Sequence, residues 1–238
     1  MDDTVGRLQS IFSSHQIDVI IGSLLGDAGL ECRSIGVRSP VTARLRMHHG
    51  AKQKEYVWWK YEMLKDVVSR EPQTISWTNP KRNLEETSWY FHTRSMEELG
   101  DLYHYFYHNG VKILPESIFS LCNPRMMSVW YMDDGSNNGD NITLNTHGFS
   151  KEDQERIREF LQKRFRIQSK VVKDRTKWKI TIRKDFGKFI SIVQPYVIPS
   201  MIYKIANPRN DLSAVRGQSE ETIFANTSVP EMENLEKV

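Results

Sequence analysis

The chain has 238 residues, 33 Lys plus Arg against 30 Asp plus Glu, a net charge of +3, and 39% hydrophobic and 11% aromatic residues. These figures exclude a disordered chain and suffice for one large domain or two small ones with a real core. Two cysteines, Cys32 and Cys122, exclude a disulfide framework and point to a reducing compartment, and no apolar run approaches the ~18 residues of a membrane span.

In chain order, MDDTVGRLQS is acidic and lacks the apolar stretch of a secretory signal, so an intracellular protein is expected. A helix is predicted over 18–28, ending in IIGSLLGDA. Strand-like segments then run to His48. Among them VTARLRM (41–47) sets Thr42, Arg44 and Arg46 against Val41, Ala43, Leu45 and Met47, the period of a strand with one buried face. An amphipathic helix over 52–70 presents Tyr56, Trp59, Met63 and Val67 on one face. QTISWT (73–78) and TSWYFHT (87–93) read as strands around the turn-rich NPKRN, and a helix over 95–108 stops at Asn109-Gly110.

The order then repeats. A helix over 125–134, ending in MSVWYMDDG, leads to a strand in NITLNTH (141–147). A helix follows from Ser150, opened by the cap pattern Ser150-x-x-Asp153 and presenting Ile157, Phe160 and Leu161. Strands QSKVVK (168–173) and KWKITIR (177–183) and a helix over 185–193 complete it. Two passes of helix, strand, strand, helix, strand, strand, helix imply an internal duplication of ~100 residues and a pseudo-two-fold pair of subdomains.

The net charge hides segregation. Residues 33–54 hold six basic side chains (Arg33, Arg38, Arg44, Arg46, Lys52, Lys54) and no acid, and residues 163–184 hold ten against a single Asp174. The tail 211–238 has six acids and two bases, which leaves residues 1–210 at +7. Rows of cations on a sheet suit phosphates and the acceptor edge of guanine in a major groove. A solvated face that guards the sheet against edge pairing is the plain alternative.

Each duplicated apolar helix delivers an aspartate, Asp27 or Asp134, in its last turn beside a small residue. Gly22 and Gly26, four apart, admit a close partner helix, which would bring the two carboxylates together. With these motifs the sequence resembles the LAGLIDADG homing endonucleases of the single-chain, two-repeat kind. The match is best at the acidic ends, GDA and DDG, and extends through NGVKILPESI (109–118) and PYVIPSMIYK (195–204), covering roughly residues 15–205. The second motif departs from the pattern with bulky Val129, Trp130, Tyr131 and Met132, while Ser128 remains small.

The resemblance implies an α+β fold of two pseudo-symmetric αββαββα repeats, with antiparallel sheets forming a DNA-binding saddle around the two packed motif helices. It divides the chain into an N-terminal repeat (1–118), a C-terminal repeat (119–206) and an acidic tail (207–238). It implies a site-specific double-strand endonuclease that hydrolyses one phosphodiester per strand with Mg²⁺, for which Mn²⁺ would substitute. Asp27 and Asp134 are the implied metal ligands, with Asp133 in the position before the ligand. Lys112 and Lys204 match lysines placed near the scissile phosphates, where they would stabilise developing charge or polarise water. His48 falls near a polar position of the water network around the metals, or faces DNA.

Base reading is expected from Arg33, Arg38, Arg44 and Arg46 in one half and Lys173, Lys177, Lys179 and Arg183 in the other, with Lys52 and Lys54 as phosphate anchors. Because the halves differ in these side chains, the site is expected to be long and asymmetric. The expected partner is double-stranded DNA, with no membrane and no obligate protein partner, in an organelle or a prokaryotic cytoplasm. Two alternatives share the fold: a maturase acting on intron RNA and a non-cleaving DNA-binding regulator. Retention of both aspartates favours the nuclease over the regulator. No Cys or Ser splice junctions flank the motifs, so an intein is not expected.

Overall fold

The computed structural model describes residues 3–32, 41–80 and 83–206. Arg33, Arg38 and the acidic tail lie outside the described residues. Helix α1 (Asp3–Ile11) precedes the first motif helix, α2 (Ser14–Leu25), which Ser13 opens with a capping box completed by Gln16. There follow β1 (Gly29–Glu31), β2 (Arg44–Gly50), α3 (Lys54–Leu64), β3 (Gln73–Asn79), β4 (Leu84–His92) and α4 (Glu97–Phe106). A small hairpin, β5 (Tyr107–His108) and β6 (Val111–Lys112), leads to the second pass. That pass runs α5 (Pro124–Asp134), β7 (Gly135–Asn137), β8 (Ile142–Leu144), α6 (Lys151–Phe165), β9 (Lys170–Asp174), β10 (Lys177–Ile182) and α7 (Phe186–Val193).

One four-stranded sheet has the order β1-β2-β4-β3 and the other β7-β8-β10-β9, with every pairing antiparallel. The α+β arrangement and its repetition are therefore as expected. Period-2 alternation sends Leu45 and Met47 of β2, and Ile180 and Ile182 of β10, into the core at 0% exposure. The helices cover that face of each sheet, leaving the other face of each for the cations. Among the described residues no helix is long and apolar enough to cross a membrane.

Three local readings are corrected. The helix expected over 52–70 keeps α geometry only over α3, with single 3-10 turns at Ala51–Gln53 and Lys65–Val67, because Val68 is already extended and bridges Thr93. Asn109 and Gly110 do not stop α4. They form the two-residue turn of the β5–β6 hairpin, with φ of 50° and 77°, the left-handed pair that a type I′ turn demands. The strand expected over 141–147 ends at Leu144, because both the backbone N–H and the side-chain amide of Asn145 donate to the Asp134 carbonyl (2.9 and 2.8 Å) and turn the chain. The three-residue strands β1 and β7, directly after the motifs, are too short to show a period.

The two motif helices, α2 and α5, pack in close contact, and glycine sets the distance. A Cβ on Gly22 would lie 2.8 Å from Val129 Cβ and from the Met126 carbonyl, and one on Gly26 would lie 2.5 Å from Asp133 Cβ. The bulky second motif is accommodated because Val129 occupies the room left by Gly22. Tyr131 turns away from α2, donating to the Lys204 carbonyl at 2.6 Å and meeting Phe189 edge-on. A Gly26→Ala variant is expected to lose about 1–3 kcal/mol through overpacking, read as a fall in Tm of about 2–4 °C per kcal/mol. Gly6→Ala, where a Cβ meets nothing within 4 Å on exposed α1, is the control and should be neutral or stabilising. Equal melting of the two variants would remove the close-approach argument.

Candidate active site

Asp27 and Asp134 stand at the C-terminal ends of α2 and α5, brought together by the glycine contact. Burial above all, and then the neighbouring charges of Asp27 and Asp133, lift the Asp134 carboxyl to about 7 against the pull of Lys112 and Lys204. Asp27 is likewise raised, by burial first and then by Asp133.

The two lysines occupy equivalent places. Lys112 donates from Nζ to the carbonyl of Gly26 (3.1 Å), the residue before Asp27, and to that of Ala28 (2.8 Å). Lys204 donates to the carbonyl of Asp133 (3.0 Å), the residue before Asp134. β6 carries the first lysine and the 3-10 turn Pro199–Lys204 the second, so each closes its own pass over its own motif. Burial pulls Lys112 down to about 8 against the attraction of the three aspartates, and Lys204 down in the same way.

Beneath this pair lies a buried polar network. Asp133, with 0% side-chain exposure, accepts from Lys60 Nζ at 2.7 Å and from the Tyr56 hydroxyl at 2.6 Å on Oδ1, and from the Asp27 backbone N–H at 3.3 Å on Oδ2. Burial opposes its charge, but Lys60 and the Tyr56 hydrogen bond hold it below the usual carboxylate range. Lys60 is itself fully buried, and its ammonium also donates to His49 Nε2 at 3.0 Å and sits 4.3 Å from the centre of the Tyr56 ring. Burial and Lys60 drive His49 down to about 3, so its ring is neutral.

Of the two histidines in sequence, His49 faces Asp27, with Nδ1 at 3.6 Å from Oδ2. His48, one residue earlier and therefore on the opposite face of β2, bonds Ser88 at 2.8 Å beside Arg46. Extending the alternation of Leu45 and Met47 by two residues would have placed His49 inward.

The cationic residues fall on the outer sheet faces with two qualifications. Arg44 and Arg46 project outward from β2, but both reach Glu31 of β1, at 2.7 and 3.4 Å, an acid just outside the basic block. Lys52 and Lys54 are exposed beside this sheet, with the Lys54 ammonium 4.9 Å from the centre of the Trp89 ring. In the second sheet Lys177 and Lys179 share the outer face, and Lys179 pairs with Asp174 at 2.8 Å. Arg183 follows β10, 77% exposed, and meets Asp140 at 3.0 Å. Lys173 departs from this group: the register sets it opposite Trp178, on the other face of the sheet from Lys177 and Lys179.

The donor set bears on a metal. Among the described residues no group of three or more His, Cys, Asp or Glu side chains forms a cage. Two carboxylates with open oxygens fit a hard cation such as Mg²⁺, which takes one or two protein carboxylates and fills its shell with water and phosphate.

Known proteins agree with this architecture. The DNA endonuclease I-ChuI of Chlamydomonas applanata is 27% identical over 213 residues, spanning 82% of this chain and 96% of that one. The cytochrome b mRNA maturase bI2 of Debaryomyces hansenii is 24% identical over 202 residues, 81% of this chain and 74% of that one. RecA of Mycolicibacterium flavescens is 27% identical over 224 residues, but this chain spans only 48% of it. In fold the chain is similar to the homing endonuclease I-WcaI bound to its DNA recognition sequence, with a TM-score of 0.73, 24% identity, and 82% of this chain and 87% of that one covered. It is also similar to I-DmoI in complex with DNA and Mn, with a TM-score of 0.51 and 15% identity over 78% of this chain and 99% of that one. The model of the LAGLIDADG DNA endonuclease family matches residues 17–189, and the chain belongs to that family.

Proposed function

We propose that the protein is a site-specific, double-strand DNA endonuclease that hydrolyses one phosphodiester in each strand with the help of divalent metal. The observation that carries this reading is the doubled site. Asp27 and Asp134 end two helices in glycine contact, each backed by a lysine on the carbonyl before it, between two sheets whose outer faces carry cations. In this reading Asp27 and Asp134 hold the metal, and the Mn in the complex of I-DmoI with DNA supports the use of a divalent ion. A bound Mg²⁺ or Mn²⁺ would supply an activated water and neutralise a leaving oxygen. Lys112 and Lys204, tethered to backbone and kept in place by burial, aim their remaining N–H donors at the negative charge that develops on the phosphate.

Arg44, Arg46 and His48 on one outer face, and Lys177, Lys179 and Arg183 by the other, read the duplex, with Lys52 and Lys54 on phosphates. Glu31 fixes the direction of both arginines, so a base rather than the guanidinium's own flexibility decides whether a contact is made. The two faces carry different rows, two arginines and a histidine against two lysines and an arginine, which makes the target asymmetric. Splicing assistance on intron RNA is the second reading, supported by the relative named as a maturase.

The test is incubation of the full chain with a randomised duplex library in Mg²⁺, followed by sequencing of the cut ends. One long asymmetric site, cut on both strands, is expected. A library left intact in both Mg²⁺ and Mn²⁺ would refute the nuclease reading.

A further inference from the structure

Behind the two aspartates the passes are built differently. On the Asp27 side a polar chain runs from buried Asp133 to buried Lys60 (2.7 Å), from Lys60 to buried His49 Nε2 (3.0 Å), and from His49 Nδ1 out to the half-exposed Asp27 Oδ2 (3.6 Å). An ammonium has only donors, so the nitrogen of His49 that meets Lys60 is the acceptor and the single ring hydrogen lies on Nδ1, aimed at Asp27. At 3.6 Å the contact is longer than a hydrogen bond, and catalytic contacts of this kind often tighten when substrate binds. Asp133 adds a second hold on the same residue through the Asp27 backbone N–H.

The Asp134 side has no counterpart. The residue before Asp27 is Gly26, which has no side chain to mirror Asp133. Thr146 lies two residues past inward-facing Leu144, as His49 lies two past inward-facing Met47. Where His49 meets Lys60 of α3, Thr146 meets Gln154 of α6, and both of these are uncharged and buried. Asn145 bonds the Asp134 carbonyl oxygen, and among the described residues no side chain donates to the Asp134 carboxylate.

We propose that His49, held by Lys60, is a positioning residue for Asp27 alone, so that the DNA strand hydrolysed at Asp27 depends on it and the strand hydrolysed at Asp134 does not. This rests on the nuclease reading above and deepens it. His49 orients one carboxylate for its metal and water, and the two cuts then differ in what limits them.

Two conservative variants separate this from packing. His49→Gln offers Lys60 an acceptor where Nε2 stood and puts no N–H against Asp27. His49→Asn puts an amide N–H where Nδ1 stood. The duplex recovered from the library carries a different fluorophore on each strand and is cut by the full chain in Mg²⁺ under single-turnover conditions. His49→Gln is expected to nick one strand about 10- to 100-fold more slowly, the usual effect of removing a group that orients a metal ligand. The other strand stays within about twofold of wild type, and His49→Asn restores most of the loss. Duplex affinity in EDTA is unchanged. Mn²⁺ titration of the protein–DNA complex followed by EPR shows one ion bound about 10-fold more weakly in the Gln variant and recovered in the Asn variant.

The proposal is overturned by equal slowing of both strands, by no slowing of either, by Gln and Asn variants that behave alike, or by a Gln variant that melts far below wild type. A wild-type chain that cuts nothing fails the nuclease reading instead, and a wild-type chain that cuts while His49→Gln keeps the strand ratio fails only the assignment of His49.

Discussion

Asp27→Asn and Asp134→Asn are each expected to bind the target duplex within a few-fold of wild type and to lose double-strand cleavage by about 10³-fold, equivalent to about 4 kcal/mol of transition-state stabilisation. Asparagine keeps the size and one acceptor of the carboxylate and removes the charge that would hold a divalent cation. The outer sheet faces, which supply most of the affinity in this reading, are untouched. The same variants carry an independent check in the opposite direction. Asp134 is lifted to about 7 by burial and by the charges of Asp27 and Asp133, so removing either carboxylate's charge relieves repulsion and the melting temperature should hold or rise. A site that costs stability in the folded chain is a site retained for its chemistry. Cleavage at the wild-type rate by either variant, measured on both strands, would remove Asp27 and Asp134 from the reaction. Loss of cleavage together with collapse of Tm would mean that the carboxylates support the fold.

The sequence carried the frame of this site better than its depth. Alternation in VTARLRM and KWKITIR is strong because one face of each strand is wholly buried, so β2 and β10 were legible, as was the cap of α6, where Ser150 and Asp153 bond each other's backbone N–H groups. The two aspartates were legible because each ends an apolar helix of matching pattern. Lys60 was not, since a lysine in the middle of KEYVWWKYEML reads as the solvated edge of an amphipathic helix, and its partner Asp133 is 73 residues away in sequence. The adjacent pair Asp133-Asp134 set against Gly26-Asp27 held a clue: a glycine opposite an acid leaves a space that the acid's side chain fills. His49 was hidden by its neighbour, since one residue of strand parity divides the ring at Asp27 from the ring on the outer face. Composition groups Lys173 with Lys177 and Lys179, and only the β9–β10 register reveals that it lies on the other face. Glu31 stood just outside the basic block and is reached only through the pairing of β1 with β2.

Asp133→Asn is expected to cost about 3–5 kcal/mol, because it leaves the Lys60 ammonium at 0% exposure without its counter-ion. At about 2–4 °C per kcal/mol for a chain of this size the melting temperature should fall by on the order of 10 °C. Lys60→Met alone is expected to be comparably harmful, since it strands the Asp133 carboxylate, with Tyr56 and the Asp27 N–H as its remaining donors. The double variant, Asp133→Asn with Lys60→Met, removes both charges of this pair, and the amide oxygen still accepts from Tyr56. It should recover more than half of either single loss, a coupling that a double-mutant cycle in denaturant reads directly. Additive losses would mean that the two groups are stabilised separately by their surroundings, and the ionic chain would then be an accident of proximity. Recovery of stability does not entail recovery of function. The double variant removes the ammonium that fixes the His49 tautomer while leaving the fold intact, so a restored melting temperature with slow cutting at Asp27 would separate the work of holding α2 against α5 from the work of aiming the carboxylate.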